Sequence, residues 1–251
     1  MNKIKILLLG ALFVLFSCTS PDTISFPFNS VDDLTNSEVS FLKNGAKSIS
    51  RSSAVRVRVK DRSGDVAAGS GTFFKLKGHS IVITAAHLFR NGQGELFASE
   101  GTIISPQEKV IGTLVYFDSG RDLAIFAVPH LESRTPASFS RSKRYKVGTE
   151  VVYTGFPGSN NLLTFIGILS GRGYAGTLAM QSFAWGGSSG SGVFDARGDF
   201  VGVLVSIMIG RAYPHSQLVP DVVYLAPALG IDKKELIANL ELLKDSRNEG
   251  F

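Results

Sequence analysis

The sequence contains a serine whose setting suits nucleophilic acyl transfer. That chemistry needs a nucleophile, a base that takes its proton, a group that orients the base, and donors for the oxyanion. Ser189 stands in the glycine- and serine-rich run 185–192, between predicted strands at 178–183 and 192–195. A plain hairpin turn is the other interpretation of such a run. In either case Ser189 is expected on a turn that projects from a sheet.

A histidine and an aspartate elsewhere in the chain can complete this chemistry. His87 ends the apolar run 81–86, which holds its imidazole at a strand end, whereas the other histidines stand in polar or proline-adjacent loops. Asp122 opens the apolar strand 123–128, where a half-buried carboxylate can orient an imidazole. The rival acid Asp118 lies in an Asp-Ser-Gly turn, where aspartate is expected for backbone reasons. We therefore favour Asp122.

The elements that carry these residues are predicted to be short strands. Twenty-seven glycines among many Val, Ile, Phe and Thr residues favour strands joined by tight turns. From Ala54 onward, valines alternate with basic residues, which is typical of a half-buried strand with a solvated or lipid-facing basic side. Further predicted strands are 70–76, 80–85, 110–117, 150–156, 162–170 and 200–209. The pattern predicts an all-β barrel or sandwich, followed by a helix from Asp232, as N-cap, to about Lys244.

The N-terminus predicts export. Two lysines precede the apolar run 6–16, which is too short to span a bilayer and is typical of a signal peptide. The sequence Leu15-Phe16-Ser17-Cys18 resembles the lipobox of bacterial lipoproteins, which implies lipidation of Cys18. An ordinary cleaved signal peptide and a plain N-terminal anchor are the alternatives. We expect a lipoprotein-type signal peptide at 1–17, a tether with a short helix (37–49) within 18–50, and a location in the cell envelope.

Several short motifs together resemble the trypsin-like serine peptidases. His87, Asp122 and Ser189 occur in that family's order, with gaps of 35 and 67 residues. Thr84-Ala-Ala-His87 is similar to the family's histidine motif, and Gly187-Ser-Ser-Gly-Ser191 to its nucleophile loop. Segments 69–74, 147–157 and 198–202 resemble the bacterial high-temperature-requirement peptidases. The resemblance covers about 54–227 and implies a double β-barrel with a C-terminal α-helix over 51–246.

The resemblance also implies roles for individual residues. His87, Asp122 and Ser189 would form a catalytic triad, and the backbone N–H groups of Gly187 and Ser189 an oxyanion hole. The substrate-binding positions that it implies are Phe183, Ala184, Trp185 and Ser206. Because no acid lies among the pocket residues, a preference for Arg or Lys is not expected. Ser188 stands where zymogen-activated relatives carry an aspartate, so we expect activity without N-terminal cleavage.

The expected function is therefore a secreted or membrane-tethered serine endopeptidase acting on polypeptides. The alternatives are a catalytically silent barrel that serves as a surface binding module, and a structural lipoprotein. One cysteine and scattered histidines give no metal-ligand spacing, so neither a metal nor another cofactor is expected. The formal net charge of +5 is mild and spread along the chain, which makes a nucleic-acid partner an unfavoured interpretation. The lone Cys18 also excludes a disulfide within the exported domain.

Overall fold

The computed structural model describes residues 45–60, 66–90, 93, 95–141, 145–159, 161–212 and 217–248. Side chains at 66, 159, 211–212, 217–221 and 247–248 are not part of that description. The predicted signal peptide, Cys18 and most of the tether lie outside these residues. The strands are β1 (Ala54–Lys60), β2 (Val66–Leu76), β3 (His79–Ala85), β4 (Glu100–Ile104), β5 (Lys109–Asp118), β6 (Leu123–Ala127), β7 (Ala137–Ser138), β8 (Glu150–Gly155), β9 (Leu163–Arg172), β10 (Leu178–Gln181), β11 (Gly192–Asp195), β12 (Phe200–Ala212) and β13 (Gln217–Pro227). The α-helices are α1 (Ala46–Ser53) and α2 (Lys233–Asn248).

The strands form two closed antiparallel barrels. In the first barrel the strand order is β1-β4-β5-β6-β3-β2, and pairing of β1 with β2 closes the ring. The short strand β7 adds to β2 in parallel. In the second barrel the order is β10-β13-β12-β11-β8-β9. The predicted all-β double barrel with a C-terminal helix is therefore confirmed.

Each barrel has its own apolar core, and a third apolar cluster joins the two barrels. The first barrel buries the alternating valines of β1 together with Phe73 and Phe126, while the second buries Tyr153, Met180 and Leu225. Period-two alternation in β2 sends Phe73 into the barrel and its neighbour Phe74 to the other side. There the Phe74 ring meets Phe200 of β12 at a centroid distance of 4.8 Å. Burial of these aromatic rings holds the barrels together.

The helices attach to this joint cluster. Leu236 and Leu240 of α2 pack against it, and the Asp232 carboxylate accepts hydrogen bonds from the N–H groups of Lys234 (2.8 Å) and Glu235 (3.2 Å), so the predicted N-cap is confirmed. Helix α1 joins the second barrel through a hydrogen bond from Ser50 Oγ to Thr154 Oγ1 at 2.9 Å.

The helix boundary predicted at Ile49 is wrong. Helix α1 continues to Ser53, whose hydroxyl donates back to the Ile49 carbonyl at 2.7 Å. Serine hydroxyls in helices commonly make this i−4 bond. Residues 37–44 of the predicted helix lie outside the described residues. Strands β4, β7 and β13 are not among the predicted strands; β13 contains Pro220, which interrupts a strand pattern.

Candidate active site

His87 and Asp122 are in direct contact in the first barrel. His87 lies in the short 3₁₀ turn Ala86–Phe89 that follows β3, and Asp122 immediately precedes β6, the strand paired with β3. His87 Nδ1 lies 2.7 Å from Asp122 Oδ2, and the His87 backbone N–H donates to Asp122 Oδ1 at 2.6 Å. An ionised carboxylate only accepts, so Nδ1 carries the proton and Nε2 of the neutral ring is left as the acceptor.

The surroundings of Asp122 keep it ionised in a fixed orientation. Its φ of 59° is in the left-handed region, which aspartate tolerates better than most residues. Burial alone raises the pKa of the Asp122 carboxyl, but the hydrogen bond and charge of His87, with the charge of Arg90, hold the pKa below its ordinary value. The carboxylate therefore remains negative at neutral pH, as an imidazole-orienting group must.

Arg90 is a third member of this cluster that the sequence reasoning missed. Its Nη2 donates to Asp122 Oδ1 at 3.0 Å, and its Nη1 donates to the Ser119 carbonyl at 3.3 Å. The side chain is 22% exposed, so this ion pair is half-buried. The only sequence signal for this contact is a basic residue three positions after His87, and the sequence alone does not show which way that side chain points.

The rival Asp118 has a structural role. Its Oδ1 accepts the Arg121 N–H at 2.9 Å and its Oδ2 pairs with Arg121 Nη1 at 2.7 Å. These bonds close the turn before Asp122, as expected for aspartate in an Asp-Ser-Gly sequence.

Ser189 lies on the turn before β11 with a partly exposed side chain. Hydrogen bonds from Gly190 N–H to the Leu204 carbonyl (2.7 Å) and from Leu204 N–H to the Ser191 carbonyl (2.9 Å) fix the turn against β12. Gly190 has a φ of 91°, and a Cβ there would lie 2.0 Å from the Ser70 carbonyl oxygen. A side chain at 190 would force the Ser189 turn away from the first barrel.

Three polar residues of the first barrel support the Ser189 turn through hydrogen bonds. Ser70 N–H donates to the Ser189 carbonyl at 2.7 Å, and Ser70 Oγ donates to the Gly187 carbonyl at 2.7 Å. Thr84 Oγ1 donates to the Ser70 carbonyl at 2.7 Å, and Thr72 Oγ1 accepts the Gly192 N–H at 2.8 Å. The turn of the second barrel is thus shaped by residues of β2 and β3.

Two backbone N–H groups at this turn are available to a ligand. Gly158 N–H donates to the Gly186 carbonyl at 2.6 Å. In a trans peptide the carbonyl and the following N–H point in opposite directions, so the Gly187 N–H points away from Gly158. Within the described part of the chain, the N–H groups of Gly187 and Ser189 donate to no protein acceptor. Beneath them the buried Ser188 Oγ accepts the Trp185 N–H at 3.3 Å.

The Ser189 turn and Leu88, the residue after His87, approach each other around Gly69 of β2. A Cβ placed on Gly69 would lie 2.6 Å from Leu88 Cδ1 and 2.8 Å from the Ser189 carbonyl oxygen, so both neighbours converge on the same point. Among the described residues no hydrogen bond joins the His87 ring to the Ser189 hydroxyl. Such bonds are often long without substrate and tighten when it binds.

The expected substrate-binding residues lie around this turn. Phe183 (51%) and Trp185 (39%) are exposed, whereas Ala184 is buried. The Tyr153 hydroxyl donates to the Phe183 carbonyl; burial raises the pKa of Tyr153, so it remains a donor. Ser206 Oγ lies 2.9 Å from the Tyr174 hydroxyl.

A cleft of about 360 Å³ lies beside Gly187, between the barrels. Gly69, Phe156 and Trp185 are among the residues that line it, and the Arg56 guanidinium stacks 4.7 Å above the Phe156 ring centroid. This contact gives Arg56 a role beyond the solvated face expected for the basic side of β1.

Among the described residues we find neither a metal site nor a membrane-spanning helix. They contain no group of three or more His, Cys, Asp or Glu side chains that could hold a metal ion. None of their helices is both long and apolar enough to cross a membrane.

A family model provides the first comparison with known proteins. The model of the trypsin-like peptidase domain matches residues 69–203, more than half of the 251-residue chain. The matched segment contains His87, Asp122 and Ser189. No curated protein matches the chain.

Solved proteases share the fold. The active form of the Rv3671c protease from M. tuberculosis covers 80% of this chain and 85% of its own, at 21% identity and a TM-score of 0.56. The serine endoprotease from Yersinia pestis covers 76% of this chain and 65% of its own, at 18% identity and a TM-score of 0.57. The HtrA-type protease AlgW, solved with a tripeptide, covers 79% of this chain and 61% of its own, at 18% identity and a TM-score of 0.57. This chain therefore spans less than two thirds of the last two proteins.

Proposed function

Because this chain belongs to the trypsin-like peptidase family, we propose that it is a serine endopeptidase with Ser189, His87 and Asp122 as its catalytic triad. The observation that carries the proposal is the hydrogen bond between His87 Nδ1 and Asp122 Oδ2 at 2.7 Å. It fixes the tautomer in which Nε2 can take a proton, and the partly exposed Ser189 lies on the neighbouring turn.

The proposed reaction proceeds through an acyl-enzyme. Ser189 Oγ attacks the peptide carbonyl carbon while His87 Nε2 takes the hydroxyl proton, and the imidazolium then gives that proton to the leaving amine. Water, deprotonated by the same nitrogen, hydrolyses the ester and restores Ser189. Asp122 holds the ring in place and stabilises its positive charge in both steps.

We assign the oxyanion hole to the N–H groups of Gly187 and Ser189. Two observations support it: neither group is used by a protein acceptor, and the bond from Gly158 to the Gly186 carbonyl turns the Gly187 N–H outward. Donors of this kind stabilise the negative charge that develops in the transition state, and losing one typically costs about 10²–10³ in turnover.

Polypeptides are the proposed substrates, with the acyl-side residue recognised by Phe183, Ala184 and Trp185 and the substrate backbone meeting β12 near Ser206. The exposed Phe183 ring packs in a tilted orientation against Phe165 at 5.4 Å between centroids, which leaves an apolar wall and no acid for an Arg or Lys side chain. We expect a preference for small or medium apolar side chains. Peptide-library profiling that shows strong cleavage after Arg or Glu contradicts this specificity.

The proposed site requires no N-terminal cleavage for activation. Ser188 is neutral and already bonded to the Trp185 N–H, so it offers no carboxylate to a freed N-terminus. The chain just before β1 is also engaged in helix α1, where Arg51 Nη1 donates to Thr164 Oγ1 of β9 at 3.2 Å. An obligatory cut near 51–54 before activity appears contradicts this proposal.

We further propose export and lipid anchoring through Cys18 in the cell envelope. The support is the N-terminal sequence: a basic start, an apolar run and the lipobox-like Leu15-Phe16-Ser17-Cys18. Expression in bacteria with a radiolabelled fatty acid tests it. The intact chain is expected to incorporate label and Cys18→Ser to remain unlabelled; an unlabelled intact chain refutes lipidation.

A fluorophosphonate probe tests the triad, since it reacts covalently only with an activated serine. We expect labelling and peptide hydrolysis by the unaltered chain and by Ser191→Ala, and neither by Ser189→Ala. Ser191 is a matched control because it lies two residues away and its buried hydroxyl has no hydrogen-bond partner within the described residues. A well-folded, unlabelled chain that still binds peptides identifies a binding module instead.

A further inference from the structure

We propose that Arg90 is a positioning residue that restrains the Asp122 carboxylate and partly offsets its negative charge, so that His87 can act as a base at lower pH. The inference rests on the proposed function, because it concerns how that triad is tuned. It follows from the geometry around one carboxylate oxygen and from the charges that reach it.

Arg90 adds a third hydrogen bond to a carboxylate that His87 already holds through both oxygens. The imidazole holds only Oδ2, while Oδ1 accepts both the His87 backbone N–H (2.6 Å) and Arg90 Nη2 (3.0 Å). The guanidinium is in turn held by the Ser119 carbonyl through Nη1 at 3.3 Å. A planar guanidinium tied at two points restrains the position of Oδ1, and so reinforces the orientation of the carboxylate to which the ring is bonded.

Arg90 also places a positive charge behind the acid. The two side chains are only 22% and 21% exposed, so water screens their interaction less than that of a surface pair. Part of the Asp122 charge is thereby offset, and the carboxylate stabilises a protonated His87 less strongly. Removal of the guanidinium charge is therefore expected to favour the imidazolium, which cannot act as a base.

The nearby charges can be named from the contacts of the described residues. The charges that act on the Asp122 carboxylate are those of His87 and Arg90. In the adjoining turn, Asp118 and Arg121 form an ion pair with each other at 2.7 Å. The Ser189 turn with most of β11 (186–194) and the first part of β12 (200–210) contain no charged residue.

The experiment is the pH dependence of kcat/KM for Arg90→Met, Arg90→Gln and Arg90→Lys. In the Met and Gln variants we expect the acid limb to move to higher pH by about one unit. Arg90→Lys keeps the charge, so its acid limb should stay close to that of the unaltered chain. Because lysine lacks the fork, its kcat should still fall, by about tenfold.

Arg121→Met is the matched control, since it removes an exposed arginine from the neighbouring turn and should leave the acid limb unchanged. The NMR titration of the His87 ring in Ser189→Ala gives a second readout that needs no turnover, with and without Arg90→Met. An unchanged acid limb and an unchanged ring titration in the Met and Gln variants overturn the inference. Absence of hydrolysis by the unaltered chain refutes the proposed function instead, so the two failures are distinguishable.

Discussion

The two barrels supply the candidate site in different ways. The first barrel completes its contribution internally: His87, Arg90 and Asp122 contact one another within a stretch of 36 residues, through side-chain hydrogen bonds and charge. The second barrel supplies Ser189 on a glycine-rich turn whose shape depends on Ser70 of the other barrel. The His87–Asp122 pair is thus formed within one barrel, whereas the shape of the Ser189 turn depends on the contact between the two barrels.

Because of this difference, substitutions in the two regions should impair the site in different ways. Changes within the His87–Asp122 cluster should impair proton transfer and leave the Ser189 turn in place. Changes at the contact between barrels, where Phe74 meets Phe200, should displace the turn and its N–H donors while the His87–Asp122 hydrogen bond persists. Variants on each side of this boundary test whether the two halves are separable.

The largest effect is expected from Asp122→Asn, which damages only the half that is formed within one barrel. Asparagine tolerates the left-handed φ of 59°, so the backbone should remain. Its amide favours the wrong imidazole tautomer, and kcat should fall by about 10⁴ at neutral pH. Steady-state kinetics measure the loss, with Asp118→Asn as the control in the adjacent turn. A similar loss in both variants refutes the distinction between these acids.

Ser70→Ala should have the next largest effect, because it damages the dependent half. It removes the bond from Ser70 Oγ to the Gly187 carbonyl and leaves the Phe156 N–H, which donates to Ser70 Oγ at 3.0 Å, without its acceptor. We expect kcat to fall by about tenfold to a hundredfold through misplaced oxyanion donors, with little change in KM.

Ser50→Ala is the control for Ser70→Ala. Ser50 is also buried, and its hydroxyl donates to Thr154 Oγ1, away from the Ser189 turn. Each variant should lose about 1–3 kcal/mol of unfolding free energy, but only Ser70→Ala should lose turnover. Equal kcat values for the two variants would falsify the proposed dependence on the first barrel.

The smallest effect is expected from Glu108→Gln, which changes stability and leaves activity intact. Hydrogen bonds from the Ser133 side chain and N–H and from the Glu132 N–H, against a smaller effect of burial, lower the pKa of Glu108 to about 2. A lowered carboxylate pKa stabilises the folded state fully above its unfolded value of about 4.3. The stability difference from the unaltered chain should disappear as pH falls from there toward 2. Urea unfolding at several pH values measures it, and a difference that persists at the lowest pH contradicts this origin.

The sequence predicted much of what positions the site. The alternation of Val55, Val57 and Val59 identified the buried face of β1, and these residues are indeed buried. His87 and Asp122 were chosen as residues at strand ends, and the structure brings them into contact because β3 pairs with β6 in register. Local patterns sufficed here because each residue borders a strongly apolar strand.

Other features depend on contacts between distant segments, which local patterns do not reveal. Ser70 is an ordinary serine of β2 until the fold places it against Gly187, 117 residues later. Arg90 is one of many basic residues, and only the turn geometry directs it to Asp122. The roles of Phe183, Trp185 and Ser206 in substrate binding stay predictions, as does the lipid anchor at Cys18.

The closing strand of the second barrel has a consequence for when the protein becomes active. Strand β13 completes that barrel by pairing with both β10 and β12, and it is formed by residues 217–227. Ribosomes deliver the N-terminal barrel first, so His87 and Asp122 can meet while the support for the Ser189 turn is still being synthesised. A nascent chain can therefore hold the His87–Asp122 pair before the Ser189 turn is ordered. The order of synthesis thus delays assembly of the proposed site until β13 has been made.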